Sequence, residues 1–404
     1  MSRKEEPGRS ARLLFMVTAL FWSAQYSYTQ FINPELSRMG MNAAFMGLVS
    51  GAYGFTQMVL RIPLGILADR AGRQKPFVVA GSLLTMLAGL GFVLFYTPGG
   101  FLLSRGLAGV ASASWVSFTV LYSSYFAHSE GPRRISHLNT ANMGGRLAGF
   151  FLIILIVPLM GLVASFWFSA LCGGIGLVMS LGLKERPHER QGISWQVLLQ
   201  VSRDRYLMAC SIMGILTQVL AFSTYTGFTV NAAKALGAQD ARLTWLNIAL
   251  LVPTLVMNLL VTTRLLRIMS GRALVIAGFV VAAFYCLLVP LATSLWQLYL
   301  IQILGGFASS LTFAVLIGQS VRDIPQHLRA VAMGVYQAVY GIGMTLGPIL
   351  MGLMIDNAGM KTAFFVMAGV SLLSAALAYP LLGAPPRAME EPPQAIEQPP
   401  PAVV

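Results

Sequence analysis

The chain has 404 residues, 56% of them hydrophobic and only 10% charged, with a mean hydropathy of +0.71; a soluble domain carries roughly 25% charged residues. That composition excludes an ordinary soluble enzyme and demands a lipid environment. The formal net charge of +13 invites a nucleic-acid partner, but the placement of the basic residues rejects one.

Twelve apolar stretches reach the roughly 20 residues that a helix needs to cross a bilayer. They are residues 11–32, 43–66, 77–96, 101–123, 140–161, 164–183, 206–230, 243–263, 273–292, 295–319, 330–354 and 361–382, here numbered as spans 1 to 12. In lipid every backbone group must bond within its own segment, and none of the stretches alternates like a barrel strand. The prediction is an all-α membrane protein of twelve transmembrane helices in two six-helix bundles.

Span 1 follows a charged start without a small-residue cleavage site, so it is expected to stay as an anchor. It places Phe21, Gln25 and Tyr28 on one face and closes with Asn33-Pro34-Glu35. Span 2 carries Gly47-x-x-x-Gly51, Tyr53, Gln57 and Arg61. Arg61 precedes Gly65 by one turn, about 6 Å of helix, and is expected to snorkel to the membrane surface.

Residues 65–76, Gly-Ile-Leu-Ala-Asp-Arg-Ala-Gly-Arg-Gln-Lys-Pro, form the expected loop to span 3. Its Gly65, Asp69, Arg70, Gly72, Arg73 and Lys75 stand at the spacing G-x-L-a-D-r-x-G-r-k, which resembles the helix 2–3 signature of the major facilitator superfamily. The resemblance covers residues 11–383. It implies a secondary transporter working by alternating access, with these loop residues as a conformational switch and Asp69 closing onto the start of span 11.

Charges inside lipid are costly, about 2.5–3.5 kcal/mol for an arginine, so those within spans call for a reason. In span 4, Arg105-x-x-x-Gly109-x-x-x-Ala113 is similar to a second signature of the superfamily, linked to proton coupling or to the charge of the substrate; snorkelling is the alternative. Arg146 in span 5, beside Gly145-x-x-x-Gly149, either lines the pathway or snorkels. No Asp or Glu falls in the middle of a span. Glu35 and Asp356, at the ends of spans 1 and 11, are the candidate coupling acids. Uncharged candidates for the pathway are Gln25, Tyr28, Tyr53, Gln218 and Tyr225 of span 7, Asn247 of span 8, Gln302 of span 10, and Gln337 and Tyr340 of span 11. Such amide-plus-aromatic walls suit a mostly apolar solute, although each residue alone fits an interhelical hydrogen bond equally well. Gly343-x-x-x-Gly347-Pro348 in span 11 reads as close packing or as a gate.

The longest polar break, 184–205, divides residues 1–183 from 206–383. The halves echo each other: Arg105–Ala113 matches Gln302–Ser310, and Met143-Gly144 with Pro158 matches Met333-Gly334 with Pro348. A duplicated six-helix unit around a midplane site is a transporter plan. With the first residues placed in the cytoplasm, twenty of the 27 Lys and Arg fall on that side. Only Arg38, Lys234, Arg242 and Lys361 fall opposite, so both termini are expected in the cytoplasm. Residues 384–404 hold seven prolines and no apolar period and read as a disordered tail. Cys172, Cys210 and Cys286 are scattered and His128, His137, His188 and His327 lie at span ends, so no metal site, disulfide framework or cofactor is expected.

These readings converge on a monomeric exporter of small amphipathic molecules, a drug or a metabolite such as a metallophore, coupled to protons in the inner membrane. An importer of sugars or organic anions, with Arg105 and Arg146 on a carboxylate, is the alternative. A receptor or intramembrane enzyme is a third reading, but no Ser/His or His/Glu constellation lies at membrane depth.

Overall fold

A computed structural model describes residues 8–126, 131–185, 195–325 and 328–383. The expected tail 384–404, the linker stretch 186–194 and His128, His188 and His327 lie outside the described residues. Among those described there are helices and turns and no strand.

Span 1 is two helices, α1 (Gly8–Tyr26) and α2 (Thr29–Arg38), where the sequence predicts one. Two polar side chains stabilise the break. The Thr29 hydroxyl donates to the carbonyl of Tyr26 at 3.1 Å and the Gln30 amide to that of Ser27 at 2.9 Å. Carbonyls freed inside lipid must find such donors, which is why the break sits beside polar residues. Span 2 is α3 (Ala43–Ala71) and span 3 is α4 (Lys75–Leu94). The loop expected over 65–76 is therefore shorter than the sequence suggests. Gly65, Asp69 and Arg70 belong to the last turns of α3, and Gly72, at φ 62°, supplies the left-handed residue that stops the helix.

Span 4 divides at Ser114 into α5 (Pro98–Ala113) and α6 (Trp115–Ser124). Spans 5 and 6 are α7 (Gly131–Met160) and α8 (Val163–Leu181). The polar linker contains α9 (Trp195–Ser202). Span 7 runs from α10 (Arg205–Leu220) through π-helical turns at Ala221–Phe228 into α11 (Thr229–Ala235). Span 8 is α12 (Asp240–Leu260), continued through a π turn into α13 (Leu266–Ile268), and span 9 is α14 (Gly271–Leu288). Span 10 joins α15 (Leu295–Ser309) to α16 (Val315–Ser320) through Ser310–Ala314. Spans 11 and 12 lie in one run, α17 (Arg329–Leu381), broken only by Gly359 at φ 80° and ψ 161°. Nine described helical runs are long and apolar enough to cross a membrane. The doubled α17 is one of these runs, and spans 1 and 4, each split into two shorter helices, are not among them.

The outer surface is apolar, with Leu159 85% and Leu103 76% exposed, as lipid contact requires. Inside, Tyr28, Phe92, Phe101 and Phe166 pack as a ring cluster, with Tyr28 4.7 Å and Phe166 5.1 Å from Phe92. This cluster seats the start of α2 against α4, α5 and α8. The two halves of the chain meet chiefly where α3 runs antiparallel to α17. There Gly47 lies on Pro348, Gly51 on Thr345 and Ile349, and Gly352 on Ala43, so close that a side-chain carbon would collide with backbone. The expected small-residue stripe is thus a packing surface between halves. Gly343 and Gly347 pack in the same way on Ile215 and Val219 of α10.

Candidate functional site

Two ends of the molecule differ. The basic face carries the α3–α4 loop; the far face carries the turns after α2, α4 and α11. The antiparallel pairing of α3 with α17 descends from Ala43 and Gly352 at the far face, through Met58 and Gly341, to Arg61 and Gln337. One turn further on, Gly65 and Gly334 would face each other, yet a side-chain carbon on either meets nothing within 4 Å. The close packing of the two helices is thus shown from the far face to Arg61, and open space surrounds Gly65 and Gly334 beyond it.

The far face is locked by charge. Arg38 of α2 donates to Glu35 at 3.0 Å and to Asp240 of α12 at 2.6 Å, and Lys234 pairs with Asp240 at 2.6 Å. The hydrogen bond to Asp240 holds the Arg38 pKa above its ordinary value. Asp356, at the far end of span 11, accepts from the backbone N–H of Ala43 at 2.9 Å and Ala44 at 2.8 Å. Its carboxylate thus caps the N-terminus of α3 across the halves, where the helix dipole favours a negative charge. Beneath these, Gln30 donates to Thr244 at 3.2 Å and accepts from Asn247 at 2.9 Å. Asp356 and Asn247 therefore bond across the halves, and Glu35 supports the Arg38 that does so.

Below the lock lies a column of cations and phenol rings. The Arg105 guanidinium sits 4.2 Å from the Tyr53 ring centre and 6.0 Å from that of Tyr28. Tyr53 donates its hydroxyl to Ser112 at 2.8 Å, and its ring stacks at 6.4 Å on Phe222, from the π turns of the other half. Arg61 donates to Gln337 across the halves and to the Ser112 carbonyl at 3.5 Å. Tyr53, Gln57 and Arg61 recur every four residues and share one face of α3. Arg146, midway along α7, covers the Tyr26 ring at 3.8 Å. Tyr26 in turn lies within electrostatic range of Tyr53 and Tyr340. Tyr26 and Tyr28 flank the break in span 1, which brings both rings to the column.

Arg61 is 4% and Arg105 8% exposed. The expectation that Arg61 snorkels is corrected: its guanidinium turns inward because Gln337 and Ser112 offer acceptors there. Burial likewise removes snorkelling as the account of Arg105. For each of Arg61, Arg105 and Arg146 the Nε–H is buried without a partner.

Two amide candidates are committed to bonds between helices of their own half. Gln25 donates to Thr85 at 3.1 Å and to the Ala108 carbonyl at 3.2 Å, fastening α1 to α4 and α5. Gln302 donates to the Tyr225 carbonyl at 2.7 Å and accepts from Tyr285 at 2.8 Å, a separate network within the second half. Gln218 is buried one turn before Phe222, and Tyr340 packs on Tyr336 and Phe313. Asp69 is buried in the last turn of α3, next to Arg70 and Gly72, with Arg73 beyond. Sequence reading passed over Tyr26, Gln30, Ser112 and Asp240. Only the spacing of Tyr26 to Tyr28 around a helix break could have drawn attention to the first of these.

The profile of the Major Facilitator Superfamily matches residues 13–233 and 217–404. Inner membrane transport protein YajR of Escherichia coli is 24% identical, over 83% of this chain and 76% of its own length. Sucrose permease of Escherichia coli is 23% identical, over 89% of both chains. In fold, the crystal structure of a point mutant of nucleoside transporter NupG superposes with a TM-score of 0.77 at 15% identity, over 92% of this chain and all of that chain. With its helical path, its apolar exterior and a profile match that spans nearly its whole length, the chain belongs to the Major Facilitator Superfamily: a multi-pass membrane transporter and not an enzyme.

Proposed function

We propose that the protein is an inner-membrane secondary transporter that exports small amphipathic organic molecules by alternating access, driven by proton entry. The observation that carries the alternating-access reading is the asymmetry of the two faces. The far face is held by Arg38–Asp240 and by Asp356 on α3, whereas at the basic face a side-chain carbon on Gly65 or on Gly334 would meet nothing within 4 Å. Positive residues are retained inside, so the basic face and both termini are assigned to the cytoplasm. The structure then corresponds to a state that loads solute from the cytoplasm. A single chain supplies both walls of the column, which supports a monomer as the working unit.

Proton coupling is assigned to the far-face acids, because the acids nearest the pathway, Glu35, Asp240 and Asp356, all belong to the lock. Neutralising a carboxylate there removes its charge-assisted bonds and favours opening. The test is efflux from proteoliposomes with and without an inward proton gradient. Efflux that accelerates with the gradient supports antiport; efflux that ignores it replaces antiport by uniport or another ion. Import is the second reading, favoured by the arginines of the column, which hold no acid and so suit a solute that brings its own.

A further inference from the structure

The charge of the transported solute can be read from the column. In the first half Arg105 lies over the phenols of Tyr53 and Tyr28 and Arg146 over that of Tyr26, while Arg61 donates to Ser112, the residue that also takes the Tyr53 hydroxyl bond. The carboxylates of the described helices lie at helix ends, in the far-face lock or near the basic face. A buried guanidinium without a carboxylate is costly unless something compensates for it. Arg61 has two acceptors, one of them a side-chain amide from the other half. Arg105 has the Tyr53 and Tyr28 rings and the Tyr28 hydroxyl, and Arg146 has a ring face and, at 4.0 Å, the sulfur of Met143. Aromatic faces stabilise the cations without saturating their in-plane N–H donors, and the buried Nε–H of each arginine has no acceptor. Planar donors held in place by stacking present the fork that a carboxylate or a phosphate fits.

We infer that the solute is an organic anion, with its carboxylate or phosphate held by Arg105 and Arg146 and its apolar part against the tyrosines and Phe222. This rests on the transport reading above and names its substrate class; it is independent of direction. The anion would also connect the halves. Tyr53, under Arg105, stacks on Phe222, and Arg61 reaches Gln337, so a charge bound to the arginines acts on the contacts that part when the molecule changes state.

The full-length protein in phosphatidylcholine nanodiscs is compared with Arg105→Gln and Arg146→Gln by tryptophan-detected thermal unfolding. The probes are matched pairs: benzoate with benzamide, nicotinate with nicotinamide, and glycerol 3-phosphate with glycerol, all at equal ionic strength. At least one anionic probe is expected to raise the wild-type Tm while its neutral partner does not. Either Arg→Gln change should weaken that binding by about tenfold or more, as loss of a charge-assisted bond implies. Neutral partners that stabilise equally, variants that respond like wild type, or no response to any anion each overturn the proposal. Should one variant fail to fold, the other carries the comparison. Spin labels on cysteines placed at Ser37 and Arg242 follow the far face in the same samples. Two interconverting distances together with no anion response defeat only the substrate class. One fixed distance in every condition defeats the transport reading itself.

Discussion

At the scale of single residues, Arg105 and Tyr53 act as a pair. Lysine at position 105 keeps the charge but loses the flat stacking surface and the fork, and a desolvated cation–ring contact is worth about 2 kcal/mol. Arg105→Lys is therefore expected to lower transport by roughly tenfold or more, and Arg105→Ala to abolish it, measured as solute counterflow in proteoliposomes. Wild-type counterflow in Arg105→Lys would mean that only the charge matters. Tyr53→Phe keeps the ring and removes the bond to Ser112, a loss of about 1 kcal/mol, so it should impair counterflow far less than Tyr53→Ala.

At the scale of elements, the α3–α17 pair is tightly packed toward the far face and has open space at Gly65 and Gly334, and glycines report on both. A side chain at Gly47 or Gly51 collides with the backbone of α17, so Gly51→Val should separate the helices and lower the Tm by several degrees. Gly65 is helical and its surroundings are empty, so Gly65→Ala should leave the Tm unchanged or slightly raised, by less than about 1 kcal/mol of helix propensity. Its effect on transport should be the opposite. Closing the basic face brings Gly65 toward Gly334, and a methyl group there blocks contact. Reduced counterflow with an undiminished Tm is the expected signature; full activity would mean that these helices never approach at that level.

For the whole molecule, the proposed alternation predicts that the far-face bonds set which face is open. Asp356 makes two charge-assisted bonds to the start of α3, each worth about 1.5–3 kcal/mol. Asp356→Asn should shift the equilibrium toward opening of the far face by at least roughly tenfold, seen as growth of the longer distance between spin labels at Ser37 and Arg242. An unchanged distance distribution would show that the Arg38–Asp240 pair holds the face alone. Asp69 sits at the other end of α3, the end expected to meet the start of span 11. Asp69→Asn should cut counterflow while expression and Tm remain near normal, and normal counterflow would remove Asp69 from the switch.

Sequence alone determined the membrane class, the approximate crossings and the family. Lipid forces each crossing to satisfy its own backbone within some 20 apolar residues, a local property that a single chain displays. The loop motif between spans 2 and 3 was legible for the same reason, since its residues are contiguous. Roles that depend on neighbours were not. Gln25 and Gln302 look like pathway amides but are claimed by Thr85 and Tyr285, whereas Arg61, close to the membrane surface in sequence, turns inward to Gln337. The breaks at Ser27–Tyr28 and Ser114 and the far-face pairing of Arg38 with Asp240, about 200 positions apart, were equally hidden. Only tertiary structure decides these. The direction in which a side chain points on a helix is fixed by local geometry, but whether it meets an acceptor, a ring or a solute depends on which helix is packed opposite.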